Sequence, residues 1–474
     1  MAVEQRFVNR ERELQALERF WQLPRAQCIP LTGRRRVGKT FLVEQFAAGR
    51  RHVYYRCPLR AESEQLSLLG EALAPLTNDP VIQAQPPSTW PAVLTVIDRL
   101  ATQDRLLLVL DELPFWAARD ESMPSVLQNW WDERGRRLNL MLLLCGSAVQ
   151  MMERLMSGEA PLAGCITGRL VVRPFRLRSA AEMLGFADPV DALTAYGILG
   201  GVPLYLSFFR PERSIRDNLL DALLSPTARL YVEPQAVFAE HHETFNIEQV
   251  LAVLRSIARG RHRWSEIAES SRVSQAQLGR IMEPLIGDLG LVERVLPVTE
   301  LHETRTYWSQ YHLADNFFRF WFRFVEPSQG AIEFGDVEAV ADGIMAALPE
   351  YLGLPFEAMC REWVGLASAA GVLTERVAAV GSWWNANHQI DVVGLDAARQ
   401  VAVTGECKWR NQGFTWSDLQ TYLGHVAALG TTQTVRPDVL HLLFSKAGFD
   451  ERVQAWAAST RARLLVPAAL LAPL

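Results

Sequence analysis

The first third of the chain alternates continuous apolar runs with amphipathic stretches. The runs are CIPLTG at 28–33, HVYYRCP at 52–58, RLLLVLDEL at 105–113 and LNLMLLLCGS at 138–147. Runs without polar alternation, divided by segments of helical period, are what a parallel sheet covered on both faces requires. They predict an α/β domain with a parallel sheet over residues 1–175. From Phe175 to about Thr244 the period is helical, broken at Gly200–Pro203, and predicts a helical lid over 176–244. Three helical patches follow, at 247–258, at 264–270 and from Ser274 onward, the last opened by a serine suited to cap a helix. With the β-like pair Leu291–Val295 and Arg305–Tyr311 they predict a winged helix-turn-helix over 245–330. Its third helix carries Arg280 opposite Glu283 and is the reader in a DNA-binding version. Residues 331–474 begin helical and then change to strand alternation in HQIDVVGLD and QVAVTGECKW, predicting an α/β C-terminal domain.

Composition narrows the class. With 49% hydrophobic and 21% charged residues the chain has material for packed cores. The 48 Lys and Arg against 53 Asp and Glu exclude a generally basic nucleic-acid coat and leave room for a local basic site. No apolar run reaches the ~18 residues of a membrane span, and the charged start MAVEQRFVNRERE lacks the core of a signal peptide. Cysteines 28, 57, 145, 165, 360 and 407 form no CxxC pair, and so neither a disulfide framework nor a zinc site is expected. The expectation is a soluble, cytoplasmic, multidomain protein with no membrane partner.

The segment Gly33-Arg-Arg-Arg-Val37-Gly38-Lys39-Thr40 matches GxxxxGK[ST] after a short apolar strand and before a helix, the context that motif requires. Gly33, Val37, Gly38, Lys39, Thr40 and Phe41 are the expected nucleotide-binding residues. Backbone N–H groups cradle the phosphates, Lys39 reaches the β/γ-phosphates, and Thr40 places its hydroxyl on Mg²⁺. The strand at 105–110 ends in Asp111 and Glu112. Asp111 can hold the metal's water shell, and Glu112 can polarise the attacking water as the catalytic acid-base group. Ser147 ends the next strand beside the expected γ-phosphate, or else caps the helix after it.

With these motifs stand Phe7-Val-Asn-Arg-Glu, Asp111-Glu112-Leu-Pro-Phe115, Cys145-Gly-Ser147 and Gly200-Gly-Val-Pro-Leu-Tyr-Leu206, in that order. The set resembles the archaeal-type ATPase family of the AAA/STAND group. The resemblance implies that Phe7, Val8, Asn9 and Arg10, with Gly201 and Pro203, border the adenine. It also implies that Ser147 holds the position called sensor 1. Asp315-Asn-Phe-Phe-Arg-Phe-Trp321 resembles a further segment of that family, and its aromatic stripe reads as core packing. One departure is that Cys165 and Ile166 stand where arginines are expected after the Gly164 turn, leaving Arg169 and Arg173 as the nearest substitutes.

In the last domain Asp391 lies on one strand, and Glu406 and Lys408 lie on the next with Cys407 turned the other way. The pattern D-x₁₄-E-x-K resembles the PD-(D/E)xK restriction-endonuclease-like fold. Asp391 and Glu406 are suited to hold Mg²⁺ or Mn²⁺, and Lys408 to place the attacking water or stabilise charge on the phosphorane. Without a metal the same residues make an ion pair on a strand. The resemblance adds Glu357 as a third metal acid from an upstream helix and Gln420 as a polar neighbour. Together these readings describe an ATPase coupled to a Mg²⁺-dependent nuclease-like domain acting on nucleic acid, DNA before RNA, with genome defence as the setting the resemblance implies. The alternatives are a nucleotide-controlled switch whose C-terminal domain only binds a partner, and a plain ATPase motor. A homo-oligomer or a protein partner is compatible with each.

Overall fold

The computed structural model describes residues 8–239, 246–287, 289–301 and 307–474. It divides into two compact units, Phe7–Pro174 and, beyond it, Phe175–Ile286 with Gly290–Leu474. Among the described residues no helix is long and apolar enough to cross a membrane.

The first unit is built on five strands, β1 Gln27–Thr32, β2 His52–Arg56, β3 Leu106–Asp111, β4 Leu140–Gly146 and β5 Leu170–Val171. All pair in parallel, in the order β2-β3-β4-β1-β5. Every residue of β3 and β4 is buried, and the alternation of side chains explains the unbroken apolar runs. Leu106, Leu108 and Leu110 enter one core with Trp90, Trp116 and Trp130. Leu107 and Val109 enter the other, with Leu17, Val43 and Phe46. Two covered faces leave no polar position inside the strand. Strand β5 has only two residues, too short for any sequence pattern. The order sets the carboxyl ends of β1, β3 and β4 side by side on one edge of the sheet, where ligands of open α/β folds bind.

The second unit opens with helices Leu177–Leu184, Pro189–Leu199, Pro203–Leu206, Ile215–Ala222 and Arg229–Ala239. Helices Ile247–Ala258, Trp264–Ser271 and Gln275–Ile286 follow, then an antiparallel pair, β6 Val292–Val295 and β7 Gln310–Leu313. Part of the second expected wing strand, Arg305 and Thr306, lies outside the described residues. Phe317, Phe318, Phe320, Trp321 and Phe322 are all buried, so the aromatic stripe is core. The C-terminal sheet is mixed, in the order β12-β11-β10-β9-β8. Its strands are β8 Ala379–Trp384, β9 Gln389–Leu395, β10 Val401–Lys408, β11 Val435–Ser445 and β12 Ala462–Leu465. Pairs β8-β9 and β9-β10 are antiparallel, and β10-β11 and β11-β12 are parallel. Helix Gly353–Ala370 packs on β8, β9 and β10.

His262 and His312 stack with ring centroids 4.1 Å apart. Burial lowers the pKa of both, that of His312 to about 2, with His262 the next cause. The unfolded value is the ordinary 6.5, so the pair's stabilisation is complete above pH 6.5 and is lost as pH falls toward the folded value. Acidification from pH 6.5 to about 4.5 is expected to cost this unit on the order of 2 kcal/mol. His312→Asn should flatten that decline in a pH series of thermal melts.

Candidate functional site

The turn after β1 leads into helix Lys39–Ala47. A Cβ on Gly33 would stand 2.2 Å from the Val172 carbonyl oxygen, so only glycine passes there. Gly38, the helix N-cap, has φ +91° and open space where a Cβ would be, which leaves room above the first helical N–H groups. Lys39 Nζ donates to the carbonyls of Gly33 (2.7 Å) and Arg34 (3.0 Å). Burial lowers the pKa of this ammonium, and Glu112 and Asp111 oppose that shift. Val37 is fully buried, Phe41 is half-buried, and Thr40 is exposed at the loop's end.

Asp111 ends β3 and is buried. Its Oδ2 accepts the Tyr54 hydroxyl, and its Oδ1 accepts the Glu112 N–H at 3.1 Å. Burial, then the bond to Asp111, push the Tyr54 phenol above the tyrosine range, which makes it a donor. Glu112 sits in the left-handed region at φ +55°. Its Oε2 accepts both the N–H (3.1 Å) and the hydroxyl (2.9 Å) of Ser147. The structure thus brings Lys39, Asp111, Glu112 and Ser147 to one edge of one sheet.

The other expected residues have the following contacts. The Arg10 guanidinium donates to the carbonyls of Val37 (2.9 Å) and Arg173 (2.8 Å), bracing the phosphate loop from behind. Val8 is buried and Asn9 has φ +49°, while Phe7 lies outside the described residues. Arg169 donates to the Met156 carbonyl at 3.0 Å, and Arg173 is exposed. Gly201 and Pro203 belong to the second unit. There Gly201 accepts the Phe175 N–H at 2.7 Å, and Pro203 opens a short helix.

The second cluster lies in the C-terminal sheet. Strands β9 and β10 pair Val392 with Gly405, which makes Asp391 and Glu406 the next positions along each. Asp391 Oδ2 accepts the Cys407 N–H at 2.9 Å, and its Oδ1 accepts the Gln389 amide at 3.3 Å. Lys408 Nζ donates to Glu406 Oε1 at 2.7 Å, and Glu406 Oε2 is buried without a partner. Burial, then Asp391, push Glu357 up to about 8 and Glu406 up to about 7, and burial also raises Asp391. Burial works against the Lys408 ammonium, but Glu406 and Asp391 outweigh it and raise its pKa.

Among the described residues no three His, Cys, Asp or Glu side chains stand ready to hold a metal ion. The expected trio Glu357, Asp391 and Glu406 is therefore not assembled as ligands. Glu357 pairs instead with Arg361 one turn along helix Gly353–Ala370, at 3.3 Å. The unpartnered Glu406 oxygen beside Asp391 still fits a divalent ion that keeps most of its waters and needs one or two carboxylates. Gln420 is exposed on helix Trp416–Gly430.

Sequence reasoning missed Tyr54, Arg361 and Gln389. It also missed a buried trio in which the Tyr422 hydroxyl meets Thr404 Oγ1 (2.7 Å) and His441 Nδ1 (2.8 Å). Arg361 could have been noticed four residues after Glu357 on a helix. Nothing local marks the other residues.

Residues 7–209 match a family model described as an ATPase domain predominantly from Archaea, and residues 321–420 match one described as archaeal and bacterial proteins of unknown function. An uncharacterized protein of Methanocaldococcus jannaschii is 27% identical over 410 residues, 85% of this chain and 88% of the relative. An uncharacterized ATP-binding protein of the same organism is 58% identical over 40 residues, 8% of this chain and 68% of the relative. The solved Walker-type ATPase of Pyrococcus abyssi is similar in fold, with a TM-score of 0.53 and 20% identity, covering 68% of this chain and 100% of that one. With its phosphate loop and acidic strand end on one sheet edge, the chain belongs to the ATP-binding ATPases of archaeal type and carries, toward its C-terminus, the region shared by that second family.

Proposed function

We propose that the protein is an ATP-controlled nuclease. In this reading residues 1–175 bind and hydrolyse ATP, and 176–244 form the lid. Residues 245–330 are a winged helix that contacts nucleic acid, and 331–474 form a PD-(D/E)xK-type domain that cuts it. The observation that carries the reading is Glu406, buried beside Asp391 with Lys408 on one oxygen and nothing on the other. Buried carboxylates in excess of local cations are costly unless a cation neutralises them. A divalent ion would bind a phosphodiester oxygen and lower the pKa of a water. Asp391, oriented by the Cys407 N–H and Gln389, would hold it together with Glu406, and Lys408 would be the group to face the scissile phosphate. At the other centre Thr40 and Asp111 would hold the Mg²⁺ that accompanies ATP, and Glu112, released from Ser147, would orient the attacking water.

The second reading, a switch whose last domain only binds a partner, is favoured by the ion pair that occupies Lys408. Incubation with single- and double-stranded DNA and RNA, in Mg²⁺ or Mn²⁺ and with or without ATP, separates the two. The nuclease reading expects metal-dependent cutting that ATP changes in the wild type and leaves unchanged in Lys39→Ala. Absence of cutting in every condition, with ATP still bound, overturns the nuclease reading and favours the switch.

A further inference from the structure

We propose that Tyr54 is a positioning residue of the ATPase centre, setting the Asp111 carboxylate for the metal ion that accompanies ATP. This rests on the reading that Asp111 and Thr40 serve that ion. Strand β2 runs parallel to β3 with Arg56 opposite Asp111, so Tyr54 stands one same-face step behind and reaches forward along the sheet. Its ring packs against the core beneath helix Lys39–Ala47, which fixes where the hydroxyl can go. That hydroxyl donates to Asp111 Oδ2, the carboxylate at the carboxyl end of β3. The carboxylate is held at two points, Oδ2 by Tyr54 and Oδ1 by the Glu112 N–H, while each oxygen keeps a second lone pair for a metal-bound water. Without the hydroxyl only the backbone hold remains, and the carboxylate is free to turn about its own bond to Cβ.

The test is calorimetric ATP binding to wild type, Tyr54→Phe, Asp111→Asn and the double variant, each in Mg²⁺ and in EDTA. Phenylalanine keeps the packed ring, so an effect reports the hydroxyl. Tyr54→Phe is expected to weaken binding about tenfold in Mg²⁺, the scale of one hydrogen bond to a charged group. In EDTA the change should stay within about twofold, and in the Asp111→Asn background the substitution should add nothing. Equal weakening in both media would make Tyr54 a part of the scaffold and overturn the proposal. So would no weakening, or a full additional loss in the Asp111→Asn background. Wild-type binding indifferent to Mg²⁺ would instead overturn the metal reading itself, and the proposal with it.

Discussion

Lys39→Ala is expected to lower ATP affinity by at least about a hundredfold while leaving the melting temperature within a few degrees. The ammonium is buried under the loop and bonded, among the described residues, to two main-chain carbonyls, Gly33 at 2.7 Å and Arg34 at 3.0 Å, and to no carboxylate. Those carbonyls belong to a turn whose next residues are half-buried or exposed, so water replaces the lost donor at little cost. Phosphate oxygens have no such substitute. A charge-assisted bond in a site closed to solvent is worth several times its value in water, and truncating one partner costs about 2–5 kcal/mol. Lys39→Arg should fail nearly as badly, because a planar fork does not fit a slot shaped for a point charge. Equilibrium binding of ATP beside thermal melts decides the matter. Wild-type affinity in Lys39→Ala would place the nucleotide away from this loop.

How much of this was legible beforehand depended on whether a residue's task is local. Gly33, Gly38 and Lys39 are tied to one turn and one helix start, and a motif of eight residues carries the whole arrangement. The same holds for β3 and β4, whose leucines must face a core on either side. Arg10 shows the opposite case. Beside its local ion pair with Glu13, it reaches the carbonyls of Val37 and Arg173, 27 and 163 residues away, and main-chain acceptors leave no trace in side-chain identity. Tyr54 was hidden for a related reason, since in HVYYR it reads as one more apolar strand residue. In the last domain D-x₁₄-E-x-K placed Asp391, Glu406 and Lys408 together, because a hairpin register follows from spacing. The same spacing could not say that Glu357 would turn to Arg361. That choice depends on burial and charge around a helix packed on the sheet.

Glu406→Gln is expected to abolish divalent-ion binding in the C-terminal domain and, with it, at least about a thousandfold of any metal-dependent cutting. The wild-type carboxyls begin this reaction protonated to a large extent. Glu357 stands at about 8 and Glu406 at about 7, each raised by burial and then by Asp391. An incoming ion must displace those protons, so Mn²⁺ affinity should rise steeply between about pH 6 and 8 and release about one proton per ion near neutrality. Calorimetry in buffers of different ionisation enthalpy measures that number directly. The linked stability has a definite sign as well. Both folded values lie above the ordinary 4.5, so without metal the stabilisation is complete at acid pH and is lost as pH rises through 7 and 8. Between pH 6.5 and 8.5 the stacked histidines stay neutral and contribute a constant amount, leaving the carboxyls alone in view. In EDTA the melting temperature should fall across that window, Mn²⁺ should cancel the fall, and Glu406→Gln should reduce it with or without the ion. Glutamine keeps the volume and an acceptor for Lys408 but removes the charge, so a shallower EDTA profile in the variant, with the remainder from Glu357, points to the carboxylate rather than to packing. A wild-type profile already flat in EDTA would mean that the three acids do not share the buried charge, and the domain would then have no electrostatic reason to take up a metal ion.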